Sequence, residues 1–143
     1  VGIMEFKPGR VFLLRVPEGE DLLGFVKGFA EKNCITTAMV SGIGSLRNPV
    51  VGYYSEETQN YKKIELAGTF ELLTLLGNLS VKDGKPFAHL HVTLGNASGD
   101  VFGGHLIKGE VFVAELYIRE LLGEPLVRKE RGNNLSLWDE EPL

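Results

Sequence analysis

Disulfides, a membrane span and a basic surface are all missing from this sequence, and each absence narrows its function. A single cysteine, Cys34, rules out an intrachain disulfide and points to a reducing, cytoplasmic setting. No apolar run approaches the ~20 residues that cross a bilayer as a helix. The opening stretch "VGIMEFKPGR" has no long apolar core of the kind a signal peptide carries, so no membrane contact is expected. Lys and Arg number 15 against 19 Asp and Glu, a net charge of −4. Duplex DNA is held through a concentrated Lys/Arg surface, so direct DNA binding is not expected. The densest basic cluster, "RKER" at 128–131, contains Glu130 and is read as a solvated segment. Histidine is scarce too, and all three lie within "HLHVTLGNASGDVFGGH", residues 89–105.

What is present suffices for one core. A chain of 143 residues with 43% hydrophobic side chains suits a single domain. Its core is expected over about residues 8–138, with looser ends that include "WDEEPL". The stretch "RVFLLRV" (10–16) reads as a strand. "PEGEDLLGFVKGFAEKN" reads as a helix, with Glu20 and Asp21 in its first turn, an apolar stripe at Leu22, Phe25, Val26 and Phe29, and Asn33 as its stop. From Ile35 onward the pattern is β: 36–46, 50–54, 61–81, 87–95, 101–106 and 110–121. "DGK" (83–85) and "NASGD" (96–100) carry the residues of tight hairpin turns, which implies antiparallel pairing. The expected class is α+β, a largely antiparallel sheet with one helix packed on it.

The histidines then acquire a geometry. In a strand, His89 and His91 share one face with Cα atoms about 6.6–6.8 Å apart, while Leu90 and Val92 face the core. A hairpin centred near 97–98 pairs residues whose numbers sum to about 195, which sets His105 beside position 90. A slip of one residue puts His105 straight across from one of the pair. Gly103-Gly104 removes crowding and permits a bulge. Three imidazoles on one cation make three legs of a tetrahedron, with the fourth free for water, a carboxylate or a small-molecule ligand. Zinc is the first choice, and nickel, copper, iron and manganese remain open. Such a site either performs Lewis-acid chemistry or holds a shape. Cys34 is a further ligand to consider; the alternative is a small buried hydrophobe.

Glu71 stands inside the apolar "GTFELLTLLG". It is read as an exposed or intersubunit carboxylate near Arg10, Arg15 or Arg47, as a hydrogen-bond acceptor for a metal-bound histidine, or as a catalytic base acting on metal-bound water. Glu115 raises the same question. "SGIGSLRN" (41–48) is not a phosphate loop, because the third glycine and the Gly-Lys-Ser/Thr are missing; it is read as a turn with close backbone approach.

Taken together, "GRVFLLRVPEGEDLL", "VSGIGSL", "GTFELLTLLGNLS", "DGKPFAHLHVTLGNASGDVFGGHLIKGEVFVAELYI" and "RKERGNNLSLW" resemble the plant and prokaryote conserved (PPC) domain. They stand in the family order over about residues 8–138. The resemblance implies a compact α+β homotrimer of the stand-alone prokaryotic type, with His89, His91 and His105 matching the family's metal histidines and zinc as their usual ion. Gly68, Phe70, Glu71 and Leu73 resemble a motif used in protein interaction by plant members. The family's DNA-binding label belongs to that plant branch, and this sequence has no Arg-Gly-Arg AT-hook core. Three functions follow as expectations: a trimeric metal-binding domain of unassigned chemistry, a regulatory or DNA-associated interaction module with a structural metal, and a metal-dependent hydrolase or lyase using Glu71.

Overall fold

The computed structural model describes residues 2–139. Strand β1 (Lys7–Val16) leads into helix α1 (Leu22–Lys32), then β2 (Ala38–Ser55) and β3 (Asn60–Glu65). The chain continues through β4 (Thr69–Lys82), β5 (Lys85–Gly95) and β6 (Val101–Leu122) to the short β7 (Val127–Glu130) and β8 (Ser136–Leu137). Neighbours run β3-β2-β6-β5-β4-β7-β8, with β1 on β6, and β2 also pairs with β4. That extra pairing closes β2, β6, β5 and β4 into a ring, so the sheet curls into a barrel. Among the described residues, only the β4–β7 contact is parallel. The α+β reading holds, with the sheet closed on itself rather than open.

Three boundaries differ from the sequence expectation. Residues 36–46 and 50–54 belong to one bent strand, β2, which runs through Pro49, and 101–106 and 110–121 are likewise one strand, β6. The register of β2 against β6 shifts between Arg47 and Val50 and again between Val50 and Val51. These irregularities bend the strands without ending them. Conversely, 61–81 is two strands, because Gly68 turns the chain at φ +107°. "SGIGSLRN" is not a turn but part of β2, bulged against β4 between Gly42 and Gly44. Close approach is real there: a Cβ on Gly44 would fall on the carbonyl of Val113.

Helix α1 starts at Leu22, past both acids expected in its first turn. Asp21 is the N-cap, its carboxylate accepting from the Gly24 N–H at 2.9 Å, and Glu20 lies outside the helix. Asn33 caps the other end. Leu22, Val26 and Ala30 are buried against the sheet, and Phe25 and Phe29 pack on the same cluster. That cluster fills the barrel with Leu46, Leu72, Leu75, Leu90, Leu94, Leu106 and Leu116. Arg10 fixes β1 to β6, its Nε and Nη2 donating to Glu120 at 2.8 and 2.7 Å, while Nη2 also reaches the Asn33 carbonyl that ends α1. No helix among the described residues is long and apolar enough to cross a membrane.

Two further expectations fail at the C-terminal end. "RKER" is not a solvated segment throughout, because alternation in β7 turns Arg128 inward and buries it. The tail expected to fray from 138 is tied down where it is described: Trp138 lies 4.9 Å over the Arg128 guanidinium. Residues 140–143 lie outside the described residues.

Candidate metal centre

Strand β5 sets the first two ligands. Leu90 and Val92 are buried in the core, and alternation sends His89 and His91 to the other face. The loop 96–100 then decides where the third one lands. Asn96 Oδ1 accepts from the Ser98 and Asp100 N–H groups at 3.0 and 2.9 Å, and its Nδ2 donates to Asp100 Oδ2 at 3.1 Å. Gly99 takes the left-handed conformation that closes the loop, at φ +82°. The hairpin is therefore centred on Ser98, and His91 pairs directly with His105. The register is one step from the central estimate and needs no bulge between β5 and β6. Gly103 and Gly104 serve close approach instead: a Cβ on either would sit 2.8 Å from a carbonyl, of Val92 or of Gly52.

The three rings converge. Their centroids lie 5.0 Å (His89–His91), 5.3 Å (His89–His105) and 5.7 Å (His91–His105) apart. The Nε2 atoms of His89 and His91 are 3.2 Å apart. Metal–nitrogen bonds of 2.0–2.1 Å at tetrahedral angles require about 3.3 Å between ligand atoms. One nitrogen from each ring lies within 4.8 Å of the other two. The Nδ1 of His105 is buried without a hydrogen-bond partner among the described residues, and Tyr61 packs on this ring at 5.0 Å. Burial, then the charge of Arg128 and the neighbouring rings, pushes His89 down to about 4. Burial and His91 lower His105 as well. Both rings are thus neutral at neutral pH, the form that binds metal. A soft-to-borderline divalent ion fits this nitrogen set and would polarise an oxygen at its remaining position.

A family model described as the Plants and Prokaryotes Conserved (PCC) domain matches residues 4–122. The chain belongs to the PCC domain family. It is 52% identical to a plant- and prokaryote-conserved (PPC) protein of Pyrococcus horikoshii, with 100% of both chains covered and a TM-score of 0.96. A metal-containing protein of Archaeoglobus fulgidus is 43% identical, with 98% of this chain and 100% of that one covered and a TM-score of 0.92. Among curated proteins, the bifunctional protein GlmU of Synechococcus sp. (strain JA-3-3Ab) is 34% identical over 101 residues. That match takes in 70% of this chain but only 15% of the relative's length.

The other residues singled out in this PCC domain lie elsewhere. Glu71 is exposed and pairs with Ser45 and Gly95. It shares the outer face with His91 but is offset along β5 by four residues, or about 13 Å. Within one chain it does not reach the histidines, and none of Arg10, Arg15 and Arg47 forms an ion pair with it among the described residues. Glu115 is exposed, across from Arg15 and Ile43. Cys34 is exposed at the end of α1 with φ +54°, so it is neither a buried hydrophobe nor part of the histidine cluster. Two neighbours of the site went unread in the sequence, Tyr61 and Arg128. The only signal for Arg128 was its place in the alternating "LVRKE", which a surface charge run conceals.

Proposed function

We propose that this PCC domain binds one divalent transition metal, zinc by preference, through His89, His91 and His105, and leaves a fourth position for a small-molecule ligand. One observation carries the reading: three imidazoles from adjacent strands bring their nitrogens within 4.8 Å of one another. Neutral rings, an unpartnered His105 Nδ1 and the metal-containing relative from A. fulgidus all favour it. The exposed, unpaired thiol of Cys34 favours a reducing, cytoplasmic location.

The working unit is a homotrimer in this reading. A cross-strand row runs from Leu13 through Tyr117, Ser41 and Leu76 to His91 on the outer face of the sheet. Leu13 is 82%, Leu76 61% and Ile43 56% exposed there, and they line an apolar hollow of about 340 Å³. Contiguous apolar surface of this kind marks an association site.

The test of the metal reading is direct. Protein purified without chelator should hold one zinc per chain by atomic absorption, and His91→Ala should lose it. A wild-type chain that takes up no zinc, and melts at the same temperature with or without it, contradicts the reading.

A further inference from the structure

Arg128 is only 3% exposed, yet no carboxylate among the described residues forms an ion pair with it. Its Nε donates to Ser80 Oγ at 2.7 Å, Nη2 to Asn78 Oδ1 at 2.8 Å and Nη1 to the Ser136 carbonyl at 3.0 Å. The rings of Phe87 and Trp138 face the guanidinium at 5.2 and 4.9 Å. All of these partners are neutral, and three hydrogen bonds leave two of the five guanidinium N–H groups to spend. A buried cation is costly without a counter-charge.

Its position suggests where that charge comes from. Asn78 stands across from His89 and Ser80 across from Phe87, so the guanidinium is moored beside the histidines. Arg128, His89, His105, Lys82 and Tyr61 line one cavity of about 220 Å³, and no Asp or Glu among the described residues lines it. We propose that this cavity binds a small organic monocarboxylate whose carboxylate meets both the three-histidine site and Arg128. A guanidinium matches a planar two-oxygen group. The apolar walls, Phe87, Leu135 and Leu137, suit a short hydrocarbon body that inorganic phosphate does not have. Among the described residues, no helix N-terminus, the usual phosphate cradle, lines the cavity.

The inference rests on the metal reading, and the experiment separates the two. Zinc content of the full chain is measured first, then butyrate, butyramide and inorganic phosphate are titrated calorimetrically into the zinc-loaded protein. Butyrate is expected to bind at least tenfold tighter than butyramide or phosphate. Arg128→Met should weaken butyrate at least tenfold with zinc content unchanged, and Arg128→Lys should fall between. A chain without zinc sinks the metal reading, and this inference with it. A zinc-loaded chain that binds butyrate no tighter than butyramide overturns the inference alone, as does tighter binding of phosphate. The wild-type comparison decides even where Arg128→Met fails to fold.

Discussion

Replacing Leu76 by Asp tests the association face most sharply. Leu76 projects from β4 on the outer face at 61% exposure, between Ser41 and His91. Burying a leucine completely is worth about 1.5–3 kcal/mol, so the exposed part offers about 1–2 kcal/mol to a partner. A threefold assembly repeats that contact in each subunit. The loss is therefore about 3–6 kcal/mol per trimer before the cost of burying the new carboxylate is added. At 1.4 kcal/mol per factor of ten, the association constant should fall by about two to four orders of magnitude. Sedimentation equilibrium reads this directly. The wild type should weigh about three times the 15.7 kDa of one chain, and Leu76→Asp should dissociate towards a single chain at micromolar concentration with its far-ultraviolet circular dichroism retained. A wild type that sediments as one chain, or a variant that keeps the wild-type mass, refutes the reasoning.

Three further outcomes follow. Leu90→Ala empties a fully buried position between β4 and β6 and should cost about 2–5 kcal/mol in urea denaturation. Gly44→Ala sets a methyl group on the Val113 carbonyl and should destabilise by about 1–3 kcal/mol, whereas Gly28→Ala, with nothing within 4 Å, should not. The metal-free protein should lose stability on acidification. His89 and His105 have lowered folded values, so below about pH 6.5 the unfolded chain takes up protons that the folded chain refuses. Melting temperature should be level above that pH and fall between about 6.5 and 4, and His89→Gln should flatten the slope; a melting temperature that rises over this interval contradicts the assignment.

The histidine site was legible because it depends on two strong local rules. Period-two alternation put His89 and His91 on one face, and the Asn/Gly/Asp chemistry of 96–100 returned the chain within reach. The exact pairing was not legible, since it turns on Asn96 capping two N–H groups to centre the loop on Ser98. Strand continuity was misread at Pro49 and Gly109, because β2 and β6 pair with each other before and after these residues, Arg47 with Glu110 and Val50 with Lys108, through an irregularity in register. Arg128 was hidden for the opposite reason. Charge in a run reads as solvent-facing, and only the fold supplies Ser80, Asn78 and two aromatic rings to take it inside. Within the apolar "GTFELLTLLG", Leu72 and Leu75 fill the core while Leu73 and Leu76 face outward.

An anomalous difference map collected above the zinc absorption edge, on crystals grown without chelator, tests the central claim. One peak bonded to nitrogens of His89, His91 and His105 at about 2.0–2.1 Å is the expected result. A featureless map there, or imidazoles turned apart around ordinary solvent, contradicts it.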